Sequence, residues 1–164
     1  MYVLSQPNYV LTLLAITCLF VTVTAVQFWM TDYMVSVLGQ SQNTAFKVFS
    51  FVSAVGPISG VISGGILFDK CGGYNSYKSL HVLQLAGLGA WTTGVVAASM
   101  NSLITFVIFM FLQLFFGGMV MPAATGIMLN QVPQNMRTVC NSVANMCYNM
   151  FGYVPAPYVY GFMY

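Results

Sequence analysis

The side chains with the most chemical capacity in this chain form a short ladder. Asn141, Asn145 and Asn149 recur every fourth residue, with Thr138, Tyr148 and Gly152 in the same sector. At 100° per residue this spacing stacks them on one helical face, opposite Val139, Val143, Met146 and Met150. Carboxamides donate and accept hydrogen bonds but supply no nucleophile and no titrating proton, so their chemistry is binding. Gln27 is the one comparable group near the other end of the chain, with Thr17, Thr24 and Thr31 on its face. The groups that would carry catalysis are scattered. His81 has no Cys, Asp or Glu beside it, which leaves no metal-ligand spacing. Cys18, Cys71, Cys140 and Cys147 are not spaced as a disulfide framework and read as small core residues. With no nucleophile–base set, no acidic pair and no phosphate loop, the expectation is a protein that is not an enzyme and holds no metal or cofactor.

The elements that must position the ladder follow from composition. Lys and Arg number 4 and Asp and Glu 2, so charged residues make up 4% of 164 residues, against 59% hydrophobic. Mean hydropathy is +0.82. So few charges cannot cover a water-soluble globule, which normally carries about 25%. A net charge of +2 suggests no nucleic acid as partner. The composition is that of an integral, multi-pass membrane protein whose first partner is the lipid bilayer.

Between the charges lie apolar stretches at 9–31, 48–68, 80–100, 103–129 and 139–163. Each is long enough for a helix to cross a ~30 Å hydrocarbon core, and none alternates with period two. Five transmembrane helices are predicted, with connections of about 16, 11, 2 and 9 residues. The first lacks the basic start and cleavage site of a signal peptide and reads as a retained helix. Asn101-Ser102 forces the third and fourth into an antiparallel hairpin. The second and fourth loops hold Lys70, Lys78 and Arg137, and the first holds Lys47. That asymmetry puts the second and fourth loops in the cytoplasm.

Gly56, Gly60 and Gly64 form a stripe without side chains on the second helix, flanked by Ser53 and Ser63. It fits either plain tight packing or a sliding contact. Pro155 and Pro157, between Gly152 and Gly161, predict a break in the fifth helix, and Pro122 predicts one in the fourth. The Asn141/Asn145/Asn149 face fits hydrogen bonding between helices or the wall of a hydrated cavity that also includes Gln27.

After the second helix the chain reads Gly65-Ile66-Leu67-Phe68-Asp69-Lys70-Cys71-Gly72-Gly73. This resembles the G-x-x-x-D-[RK]-x-G-[RK] signature of the major facilitator superfamily, with Gly73 and Tyr74 where basic residues are usual. Val132-Pro133, Arg137, Gly152-Tyr153-Val154-Pro155-Ala156-Pro157 and Gly161 look like the eleventh helix of spinster-type members, and Phe28-Trp29 with Asp32-Tyr33 like the end of the seventh. The resemblance implies five transmembrane helices of a facilitator-type six-helix bundle, numbers seven to eleven of twelve. It implies transport of a small or lipid-like substrate by alternating access, with the N-terminal half-bundle as partner. Plasma and endolysosomal membranes fit it equally. Gly65, Asp69, Lys70, Gly72 and Arg137 would then form a cytoplasmic gate motif, with Asp69 bridging to Arg137 or the start of the fifth helix, unless both charges are simply solvated. A stand-alone accessory subunit, or an oligomeric channel lined by the asparagines, are the competing classes.

Overall fold

A chain in lipid must satisfy its backbone N–H and C=O groups internally, and the helix does this segment by segment. The computed structural model describes residues 6–74 and 76–163. Among them the regular elements are all helical. Helix α1 is Pro7–Ser36, α2 Gln42–Lys70, α3 Tyr77–Ala98 and α4 Leu103–Asn130. A 3-10 turn at Gln134–Met136 leads into α5, Arg137–Tyr148. A π-turn, Asn149–Tyr153, then separates α5 from α6, Pro155–Met163.

Helices α1 to α4 are each long and apolar enough to cross a membrane. Between 11% and 28% of each spanning window is buried inside the protein, so most of its apolar side chains face outward, where lipid suits them. The protein is an all-α, multi-pass integral membrane protein.

The helices outrun the uncharged stretches. Helix α1 continues through Asp32, and α2 starts before Lys47, so the first connection is residues 37–41 and not the expected 16. A helix needs no apolar residue once it leaves the hydrocarbon, so the charges bound the membrane and not the helix. Lys47 accordingly lies in the first turns of α2. Helix α4 runs unbroken through Pro122, and α2 through Pro57. One missing N–H in a long helix frees a single carbonyl, which is not enough to end it.

The fifth segment, expected as one helix over 139–163, is three consecutive pieces, broken where the prolines predicted. Pro155 has no N–H for the Phe151 carbonyl, and its ring crowds that carbonyl. The backbone widens to i→i+5 bonding just before it: Val154 N donates to Asn149 O at 3.1 Å.

The chain divides into two compact units, the described parts of 1–28 with 124–164, and 29–123. In the second unit α2 lies on α4. Gly56 meets Phe111 and Leu114, Gly60 meets Phe115 and Gly118, and Gly64 meets Met119. The partner number rises with the glycine number, so α2 and α4 run parallel, as two spans separated by one other must. On α3, Gly89 meets Phe116 and Gly94 meets Gln113, a falling register that confirms the antiparallel hairpin. The Tyr33 ring stacks on Phe106 at 5.1 Å and its hydroxyl reaches Ala98 O and Met100 O at 3.4 Å, tying the end of α1 to that hairpin.

In the first unit α5 and the π-turn lie on α1. Tyr9 pairs with Cys140, Phe20 stacks on Tyr148, and Thr17 and Phe20 meet Gly152. Low numbers meet low and high meet high, so the first and fifth segments run parallel. The fifth, expected as a span, is three short pieces and is not among the four described helices long and apolar enough to cross a membrane.

Candidate functional site on the interrupted fifth segment and the loop after α2

Helix α5 is the most polar of the long segments, and its protein-facing side is not the asparagine side. Cys140, Ala144, Tyr148, Gly152 and Ala156 are the buried residues, spaced by four. Small residues at Ala144 and Gly152 let α1 come close. A Cβ at Gly152 would stand 2.8 Å from both Thr17 O and Phe20 Cβ. The Phe20 and Tyr148 rings stack with centroids 4.6 Å apart. Tyr9 is 1% exposed, and its hydroxyl donates to Cys140 O at 2.9 Å.

The asparagines form their own ladder beside this stripe. Asn145 Nδ2 donates to Asn141 O at 2.9 Å, and Asn149 Nδ2 donates to Asn145 O at 2.7 Å. Tyr148 Oη donates to Asn145 Oδ1. Each amide thus bonds back to the preceding turn, as short polar side chains in apolar surroundings commonly do. Asn145 and Asn149 remain exposed on this chain, and Asn141 is half-buried with its Oδ1 enclosed and without a partner among the described residues. Among the described residues, the side-chain bonds of Asn145 and Asn149 stay within the fifth segment. Gln27, expected to face the same interior, is exposed on α1. Tyr148, assigned to the polar face, turns its ring to α1 and keeps only its hydroxyl with the asparagines.

The loop motif divides into parts that act as expected and one that does not. Gly72 has φ +96° and Gly73 φ +75°, a left-handed pair that reverses the chain after α2. Gly73 N donates to Phe68 O at 3.0 Å, and Ser79 Oγ donates to Gly73 O at 2.6 Å. Asp69 and Lys70 are the exposed last residues of α2. Gly65, expected to permit close packing, has nothing within 4 Å of a built Cβ. One residue past Gly64 is 100° around the helix, which turns it off the α4 contact. Arg137 opens α5, and its Nε donates to Val132 O at 3.3 Å, holding the turn before the helix.

Among the described residues no three His, Cys, Asp or Glu side chains gather as a metal site, and the four cysteines are free. Sequence reasoning did not single out Tyr9, Phe20 or Pro57. Tyr9 and Phe20 are apolar-looking residues in an apolar helix, and only their partners on α5 distinguish them. Pro57 could have been found, since a proline inside a Gly-x-x-x-Gly stripe marks a backbone surface.

No protein-family model, curated protein or solved structure matches the chain.

Proposed function

We propose that this chain is part of a facilitator-type carrier of the spinster-like kind, moving a small or lipid-like substrate across a membrane by alternating access. The observation that carries this is the exposed amide ladder of Asn145 and Asn149 on a helical segment interrupted at Asn149–Tyr153. Each amide bonds back through one N–H and keeps further hydrogen-bonding capacity, and a polar group left unpaired in hydrocarbon costs several kcal/mol. Among the described residues nothing covers them, so a second half-bundle with water between the halves is the natural cover. Broken membrane helices with polar faces are where carriers bind their cargo. The Gly65–Gly72 motif at the end of α2 supports the same reading, with Asp69 and Lys70 the last residues of that helix. In this scheme Asp69 acts at the cytoplasmic side of the carrier, and Asp69→Asn shifts it toward inward-facing states.

The test is water accessibility along α5 in membranes. In a background without native cysteines, Asn145→Cys is expected to react with impermeant thiol reagents, and Val143→Cys is not. Labelling that alternates between the two sides as substrate is added supports a carrier. Simultaneous labelling from both sides with ion conduction indicates a channel, and a dry Asn145→Cys indicates an accessory subunit. In transport itself, Asn145→Leu should alter substrate affinity more than Val143→Leu.

A further inference from the structure

A cavity of about 140 Å³ lies where α1 ends and α2 begins, lined by Thr31, Asp32, Val35, Gln42, Ala45 and Phe46. All six belong to the unit 29–123. Both helix ends are fixed there. Gly39, with φ +65°, closes α1 in the left-handed region, and Gln40 N donates to Met34 O at 3.0 Å. Ser41 caps α2 by accepting from Thr44 N at 3.3 Å. The polar side chains on the cavity wall are not used in this way. The other threonines of α1, Thr12, Thr17, Thr22 and Thr24, each donate to the carbonyl four residues earlier. Thr31 does not. Among the described residues its hydroxyl, the Asp32 carboxylate and the Gln42 carboxamide make no hydrogen bond. Neither Lys47 nor the N–H groups of Gln42 and Asn43 at the start of α2 take the carboxylate, so Asp32 neither neutralises that lysine nor caps that helix.

One cavity thus holds three acceptor groups, one of them negative, beside an apolar wall of Val35, Ala45 and Phe46. An anion would meet the carboxylate. A divalent ion takes several carboxylates, and this cavity has one. An apolar molecule would displace water from all three polar groups and return no hydrogen bond. A quaternary ammonium has no N–H and would leave Thr31 and Gln42 idle. A primary ammonium carries a positive charge and three N–H donors, one for each acceptor group, and its bond to a carboxylate is charge-assisted. The Phe46 ring adds a face that attracts a cation. A cavity of this volume takes roughly six non-hydrogen atoms. We infer that the cavity between the end of α1 and the start of α2 binds a primary ammonium group on a short chain, either a free small amine or the head of an aminophospholipid. Helix α2 is long enough to cross the membrane, so this site and Asp69 lie at its opposite ends. The site uses no residue of the α5 ladder and stands independently of the carrier reading.

The experiment uses the purified full chain in phosphatidylcholine nanodiscs, unfolded by heat and followed by the fluorescence of Trp29 and Trp91. Ethanolamine and choline chlorides are compared at equal ionic strength and neutral pH. Both carry one positive charge and one hydroxyl, and only ethanolamine has N–H donors. Ethanolamine is expected to raise the midpoint saturably over choline. Asp32→Asn keeps the shape and removes the charge, and should weaken the apparent affinity by about tenfold or more. Thr31→Val removes one acceptor and should weaken it by about threefold. An effect equal for choline, or one undiminished in both variants, overturns the site. Nanodiscs containing phosphatidylethanolamine separate the two sources. If the lipid head fills the cavity, the midpoint is higher in that bilayer, free ethanolamine adds nothing further, and Asp32→Asn erases the difference between the bilayers. If a free amine fills it, ethanolamine acts equally in both. No ammonium effect in either bilayer sinks the proposal, whatever thiol labelling shows of α5.

Discussion

A Cβ placed on Gly60 of α2 would stand 2.0 Å from the carbonyl oxygen of Phe115 on α4. The approach is mutual, because a Cβ on Gly118 would stand 2.5 Å from Pro57 O. Main chain lies on main chain here, and neither side can rotate out of the way. Gly60→Ala is therefore expected to cost about 3 kcal/mol, the upper end of overpacking. Gly65→Ala, facing open space, should be neutral or slightly stabilising. Thermal unfolding of the two variants in the same detergent or nanodisc checks the contrast. Equal midpoints would deny the α2–α4 contact.

Gly152 makes the corresponding contact in the other unit. Gly152→Ala pushes a methyl group against Thr17 O and Phe20, so α1 must shift from the π-turn. A loss of about 1–3 kcal/mol is expected, again by thermal unfolding. Gly161→Ala, with nothing within 4 Å, serves as the silent control.

Tyr9→Phe removes one buried hydroxyl and leaves the ring in place. Its hydrogen bond to Cys140 O joins residues 131 apart in sequence. The expected cost is about 1 kcal/mol. Tyr153→Phe, on an exposed ring, should cost less than half as much when the two are unfolded side by side.

The native cysteines report topology without further mutation. Cys71 is half-buried in the turn between Lys70, which ends α2, and Lys78, in the first turn of α3, whereas Cys140 is buried. An impermeant maleimide should modify Cys71 from the cytoplasmic side only, and leave Cys140 unmodified. Labelling of Cys71 from the opposite side would invert the orientation. Cys18, exposed on an apolar helix, should react with permeant reagents alone.

Much of the architecture was legible in the residues themselves. Six charges among 164 residues leave a membrane as the only solvent that suits the chain, and their positions separate the apolar stretches. Gly56, Gly60 and Gly64 announced a backbone contact because four-residue spacing forces them onto one face. Gly72 announced the turn, and Pro155 with Pro157 announced the break, because both act through their own backbone and need no partner. What the sequence could not decide is which surface each face meets. The stripe finds α4 and not a separate partner, since α4 alone offers Gly118 at the matching height. Gly65 belongs to the same motif, yet packs against nothing, because a one-residue step turns it away. On α5 the polar face was legible and its direction was not. Periodicity shows that two faces differ, whereas the contact with α1 goes to the stripe of Cys140, Ala144, Tyr148 and Gly152, whose last two members the spacing alone assigns to the asparagine face. Close approach requires small side chains whatever their polarity, and only the tertiary structure shows where Tyr9 and Phe20 arrive to use them.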